Sequence, residues 1–288
     1  MAALIDPYSS VGDLLLEAEQ GAAGTSSRVQ YHPDFWIEHA IRQIYDRFGD
    51  VVEIKPKSLL KFGSYDNLGT SFETVQSTGG NETYVTTNAI DTVSSSNAGD
   101  TGVVFIEGHT IDGNDDFTFV GQSATLNGQN KVVLGTPLAR CSRIYNAAAA
   151  AFAGDVYVYE DDTLTAGVPD TAAKVHAEAL ALDQQTQKAS TTISKSEYWI
   201  VTQAWASVNK KTSATVDFKL RVRQKGGVFR TQSDLTLSNT SGGVLFDFKP
   251  YLIVPQNADV RMTAAASTTG VSVSGAINGI LATVKVDN

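Results

Sequence analysis

Between positions 214 and 224, Val216, Phe218, Leu220 and Val222 alternate with Asp217, Lys219, Arg221 and Arg223. Strand side chains point alternately to two faces, whereas helical ones repeat every 3.6 residues, so this run is a strand with one buried and one solvated face. Further runs rich in β-branched and aromatic residues lie at Gly102–Thr110, Asp116–Leu126, Lys131–Gly135, Asp155–Glu160 and Tyr198–Val208. Others follow at Val228–Leu237, Val244–Val254, Val260–Ala266 and Gly275–Val286. Between them stand turns such as Leu126-Asn127-Gly128 and Lys225-Gly226-Gly227-Val228, which supply the positive-φ residues that tight hairpins need. Short strands at hairpin spacing predict an all-β fold. The expected form is an antiparallel β-sandwich with jelly-roll or immunoglobulin-like connections, as one sandwich or two in tandem.

The N-terminal stretch has a different texture. Ser10 can cap a short helix whose Val11, Leu14, Leu15 and Ala18 share a face, and Gly21 ends it. Residues 21–27 read as a linker. After Pro33 comes a stronger helical pattern, Ile37, Ile41, Ile44 and Phe48, with Phe35, Trp36 and Ala40 alongside and Gly49 at the stop. The predicted division is a helical arm at 1–61, a first β-sandwich region at 62–192 and a second at 193–288. Val11, Leu14, Leu15, Phe35, Trp36, Ile37, Ile41, Ile44 and Phe48 are the candidate assembly residues, packing on the β-body or on another subunit. The segment 172–188 fits both periods and is read as a strand followed by a loop.

Lys and Arg number 22 against 31 Asp and Glu, a net charge of −9, which repels phosphate backbones and argues against nucleic acid as a partner. A single cysteine, Cys141, permits no intrachain disulfide and no thiolate cluster for zinc. The first residues carry Asp6 and Asp13 instead of a basic start and a long apolar run, and no run reaches the roughly 18 apolar residues of a membrane helix. The expectation is a protein made and kept in a reducing cytoplasm.

Motifs with chemical meaning are sparse. Asp100-Thr101-Gly102 matches the aspartic-protease tripeptide, but one copy supplies one carboxylate of the required pair, so a turn entering a strand is the expectation. The acidic runs Asp112-Gly113-Asn114-Asp115-Asp116 and Glu160-Asp161-Asp162 lack EF-hand ligand order and read as solvated turns. His32, His39, His109 and His176 have no metal-ligand spacing, and Cys141 lies between Arg140 and Arg143 with no histidine near it in sequence. Arg221-Val222-Arg223-Gln224-Lys225 and Phe229-Arg230 interleave cations with an aromatic, read as the polar face of a hairpin and a rim that can meet a neighbouring subunit. Trp199, Trp205, Tyr157 and Tyr159 are the candidates for a carbohydrate-binding platform, with core packing the more common use of such residues. No catalytic residue, metal or cofactor is predicted, and the chain is expected not to be an enzyme.

The order of several phrases adds a resemblance that runs from about Lys61 to the C-terminus. They are Lys61-Phe62-Gly63, Gly69-Thr70-Ser71-Phe72-Glu73-Thr74-Val75, Val104-Phe105-Ile106-Glu107-Gly108 and Thr125-Leu126-Asn127-Gly128. Then come 198–208, Gly226-Gly227-Val228-Phe229-Arg230 and Ala258-Asp259-Val260-Arg261-Met262-Thr263-Ala264. In this order the chain resembles virion structural proteins of marine and environmental tailed bacteriophages. It departs from them at Ile193-Ser194-Lys195-Ser196, where those proteins often carry a Pro-x-Gly turn. The resemblance implies a particle component assembled in the host cytoplasm, with no catalytic residues to carry over. A capsid decoration protein stabilising the head is the leading expectation, with the major capsid protein or other virion proteins as partners and a homo-oligomer, a trimer by preference. A neck or tail adaptor, or a fibre-like protein, is the alternative.

Overall fold

The computed structural model describes residues 39–44, 51–209, 214–238 and 242–286. Its strands begin with β1 (Val51–Leu68), β2 (Glu73–Thr74), β3 (Ile90–Ser95), β4 (Val103–Ile111), β5 (Phe117–Thr125) and β6 (Val132–Leu138). They continue with β7 (Arg140–Asn146), β8 (Val156–Glu160), β9 (Leu164–Thr165), β10 (Val168–Pro169), β11 (Val175–Ala179) and β12 (Ser190–Thr192). The last are β13 (Glu197–Asn209), β14 (Thr215–Arg223), β15 (Arg230–Ser238), β16 (Gly243–Val254), β17 (Asp259–Ala266) and β18 (Val271–Val286).

One sandwich packs a sheet ordered β1-β18-β13-β16 against a sheet ordered β12-β17-β14-β15, with β2 also paired to β17. These two orders are those of an eight-stranded jelly roll. Its core joins Trp199, Val201 and Ile277 of the first sheet to Val216, Phe218, Leu220, Val260 and Met262 of the second. The alternation along β14 is realised: Val216, Phe218, Leu220 and Val222 are buried, and burial of side chains of this size stabilises the fold by about 1.5–3 kcal/mol each.

A second sandwich, β11-β8-β3-β6 against β5-β4-β7, has a separate core around Ile90, Val104, Ile106, Leu138, Ile144 and Val158. Its strands lie in sequence between β2 and β12, so the two sandwiches are nested and not in tandem. Strand pairing therefore departs from the expected boundaries at 61/62 and 192/193. Residues 51–61, expected in the helical arm, are strand: β1 runs across position 62 and pairs with β18, with Leu60 opposite Asn278 and Phe62 opposite Ala276. Periodicity reports the local state of a run, but the partner of a strand is set by contacts more than 200 residues away in sequence. Pro56 is accommodated because β1 is an edge strand, where a missing N–H is tolerated.

The segment 172–188 forms a short 3₁₀ turn at Ala172–Lys174 and then β11, in keeping with a strand followed by a loop. Of the predicted arm, residues 39–44 are helical and lie on the outer face of the first sheet. There Ala40 and Ile44 are buried against Tyr198, Ile200, Ala282 and Val284, with Ile41 half-buried beside them. These residues pack on the chain's own body. Val11, Leu14, Leu15, Phe35, Trp36, Ile37 and Phe48 lie outside the described residues.

One close approach fixes how the nested sandwich leaves the jelly roll. A Cβ on Gly63 would sit 2.1 Å from the Val75 carbonyl oxygen and 2.5 Å from the Ala189 nitrogen. Those two groups are hydrogen bonded to each other at 2.9 Å, closing the two ends of the insertion beneath β1. Gly63→Ala is expected to destabilise the protein by about 1–3 kcal/mol, because neither backbone segment can withdraw without breaking that bond. A urea unfolding midpoint measures it.

Candidate functional site

The two sandwiches meet across a polar junction whose hub is Asp259, the first residue of β17. Its carboxylate accepts hydrogen bonds from Arg140 Nε at 3.0 Å, Arg223 Nε at 3.0 Å and Thr192 Oγ1 at 2.7 Å, and also from Nη2 of both arginines. The alternation of β14 sends Arg223 to the outer face of the jelly roll, while Arg140, at the start of β7, reaches across from the nested sandwich. Arg140 also donates from Nη1 to the carbonyls of Val85, at 2.6 Å, and Ala139, at 2.7 Å. Its guanidinium lies 4.9 Å from the ring centre of Tyr84 and 4.8 Å from that of Phe117. Burial works to raise the Asp259 carboxyl, but the two guanidinium groups outweigh it and hold the group below the ordinary carboxylate range. A cavity of about 220 Å³ opens beside this cluster, lined by Tyr84, Phe117, Arg140, Arg223, Lys225 and Asp259 among others.

Four more titratable groups border the junction. Lys188 ion-pairs with Glu82 at 2.6 Å and donates to the carbonyls of Cys141, at 3.0 Å, and His176, at 2.9 Å, so its ammonium is fully used. Burial works to raise the Glu82 carboxyl, and Lys188 outweighs it. Lys61 donates to the Ser142 carbonyl at 3.4 Å, and burial pushes its amine down to about 8. His109 lies edge-on to Phe117 and Phe119, its Nδ1 is buried with no hydrogen-bond partner, and burial pushes it down to about 3.

The motifs singled out from the sequence are dispersed. Asp100 accepts hydrogen bonds from Ser95 Oγ at 2.6 Å, Ala153 N at 2.9 Å and Gly154 N at 3.0 Å, which tie a loop together. Burial works to raise its carboxyl, and these bonds outweigh that and lower it. Asp112 caps its own turn through the N–H groups of Asn114 and Asp116, Asp116 pairs with Lys225 at 2.7 Å, and Asp161 pairs with Lys131 at 2.6 Å. No group of three metal-ligating side chains is found among the described residues. Cys141 is buried and its thiol is pushed up to about 12 by that burial, which leaves it protonated at neutral pH. His176 bonds Glu160 at 2.9 Å. Trp199 and Tyr159 are fully buried, so neither can form a carbohydrate platform, whereas Trp205 lies half-buried on the outer face of the first sheet.

The junction itself was not anticipated. Its signal is an ionisable residue set directly beside apolar ones: Asp259 between Ala258 and Val260, Lys188 before Ala189, and Lys61 between Leu60 and Phe62. A charge there must find a partner inside the fold.

Two outer faces remain. On the first sheet, Phe62 and Trp205 flank Ala276 with ring centres 5.9 Å apart, and Leu245 pairs with Trp205 on the next strand. Leu60 and Leu245 are each 59% exposed, so an apolar stripe crosses all four strands beside the helical residues 39–44. On the second sheet the basic hairpin face is overlaid by the chain's own aromatics. Phe72 covers Lys219 and Arg221, and Tyr84 and Phe229 cover Arg223 and Arg261.

No protein-family model matches the sequence, and no curated protein sequence matches it. Among solved structures the chain is similar to one from infectious bursal disease virus strain Gx, at 8% identity over 81% of this chain and 78% of that one, with a TM-score of 0.18. The VP2 subviral particle of the same virus gives 8% identity, coverages of 87% and 83%, and a TM-score of 0.18. The mosquito-larvicidal Cry4Aa toxin from Bacillus thuringiensis gives 9% identity, coverages of 84% and 60%, and a TM-score of 0.19. Likeness at this level carries no weight for function, and it is the chain's own strand pairing that defines it as an all-β protein of two nested antiparallel sandwiches.

Proposed function

We propose that the protein is a non-catalytic structural component of a virus particle, a capsid decoration protein that works as a small homo-oligomer, with a trimer as the expected state. The observation that carries this reading is the apolar stripe on the first sheet, where Leu60 and Phe62 of β1, Trp205 of β13 and Leu245 of β16 form a surface that runs over the buried Ala276 of β18. A contiguous exposed apolar surface of this kind marks a protein contact. The jelly roll is consistent with it, being an architecture used in viral shells, although lectins and cupins use it too. Burial of Trp199 and Tyr159 weighs against the carbohydrate-binding alternative. The sequence resemblance to virion proteins of tailed phages supplies the particle context.

In this reading the stripe is covered by a neighbouring subunit, and the area buried at each junction stabilises the shell by binding linkage. Leu60→Glu with Leu245→Glu is expected to leave the fold intact, since both side chains are exposed, and to convert the oligomer to monomer in light scattering after size exclusion. Cryo-electron microscopy of the particle is the direct test of position. Density on the shell at a whole-number ratio to the capsid subunit supports decoration; density confined to a vertex or the tail overturns it in favour of a neck or tail adaptor.

A further inference from the structure

On the outer face of the second sheet, Arg221 of β14 stands directly opposite Arg261 of β17. Side chains so paired have Cβ atoms about 5 Å apart, and like charges in that position destabilise a sheet. Neighbouring cations are neutralised: Lys219 pairs with Asp234 at 3.4 Å, and Arg223 pairs with Asp259. Arg221 and Arg261 have no such carboxylate among the described residues. Arg261 donates from Nη1 to Asn81 Oδ1 at 3.5 Å, the limit of a hydrogen bond, and Arg221 donates no hydrogen bond among the described residues. The Nε atoms of both are buried without a partner. Burial and the facing Arg261 both work against the charge of Arg221 and outweigh the support of the Asp234 carboxylate, which is paired with Lys219.

The rings around them account for their packing but not for their charge. The Arg221 guanidinium lies 4.9 Å from the centre of Phe72, and that of Arg261 lies 4.1 Å from the centre of Phe229. An aromatic face attracts a cation weakly and accepts no in-plane N–H, so apart from the long bond to Asn81 the donors of the two guanidinium groups stay unspent among the described residues. Two arginines that leave the sheet from paired positions and keep unspent N–H donors can converge on one oxyanion, whose oxygens accept paired N–H groups.

We propose that the Arg221–Arg261 pair is a binding site for a small oxyanion, a phosphate or carboxylate group held between the two guanidinium groups. With a net charge of −9 the protein as a whole repels anions, so such binding must come from this local arrangement. This site lies on the opposite sheet from the proposed subunit contact, and it stands whether or not that contact forms.

The test is calorimetric titration and thermal melting of the full chain in buffer free of multivalent anions, at constant ionic strength. Inorganic phosphate and acetate are the two probes, and they separate a phosphate from a carboxylate ligand. The variants are Arg221→Gln and Arg261→Gln, with Lys57→Gln, on an exposed position of the other sheet, as control. Expected are saturable binding of at least one probe by the wild type and the control, and at least tenfold weaker binding by either arginine variant. In anion-free buffer Arg221→Gln is also expected to melt higher than wild type, because a like-charge pair has been relieved. No saturable binding by the wild type, or equal binding by wild type and both arginine variants, overturns the proposal.

Discussion

Asp259→Ala is expected to lower the stability of the protein by about 3–5 kcal/mol, the usual cost of removing one partner from a buried ion pair. The magnitude follows from what is left behind. Arg140 and Thr192 are buried, Arg223 is half-buried, and all three direct donors at this one carboxylate. Without it two guanidinium groups repel each other, and that of Arg140 is buried. Urea unfolding followed by circular dichroism gives the loss. A double variant adding Arg140→Met separates the two contributions, and it should recover part of the stability because one uncompensated charge has gone. A loss under about 1 kcal/mol in Asp259→Ala would show that solvent already screens this cluster.

Acid sensitivity is the second large effect, and His109 sets its window. Burial moves this imidazole from 6.5 to about 3, and at pH 7 it is neutral in the folded chain and mostly neutral in the unfolded one, so its cost there is small. As the pH falls through 6.5 the unfolded chain takes up a proton that the folded chain refuses until about pH 3. Stability is therefore lost across that interval, at about 1.4 kcal/mol per pH unit once below the unfolded value, or about 2 kcal/mol by pH 5. His109→Leu removes this group and should reduce the dependence between pH 6.5 and 5, leaving the part contributed by His176, whose imidazole burial also holds below its ordinary value. Asp259, Asp100 and Glu82 are held low and add their own losses at lower pH, as they are protonated. Lys61 acts at the other end: its folded value of about 8 lies below the unfolded 10.5, so the cost of burying its charge is present at neutral pH and is relieved as the pH rises through that range.

Both effects converge on the junction between the sandwiches. The jelly roll and the nested sandwich have separate apolar cores, whereas ion pairs and buried polar groups join them. An apolar contact tolerates small shifts, but a carboxylate that must receive donors from β7, β12 and β14 together fixes how the two bodies sit.

The all-β class, the strand at Thr215–Arg223 and the glycine turns were legible in the sequence, because a two-residue period and a positive φ are local requirements that local composition reveals. The inward row Val216, Phe218, Leu220 and Val222 follows from that period alone. Other features depended on tertiary structure. Residues 51–61 carry a lysine-rich pattern broken by Pro56 and show their strand character only through pairing with β18. Nesting of the second sandwich is decided by which strands close at Val75 and Ala189. The facing of Arg221 and Arg261 and the sharing of Asp259 by Arg140 and Arg223 join residues dozens to more than a hundred positions apart. Sequence periodicity determines which face a side chain takes, and only the register between strands distant in the chain decides which charges meet there.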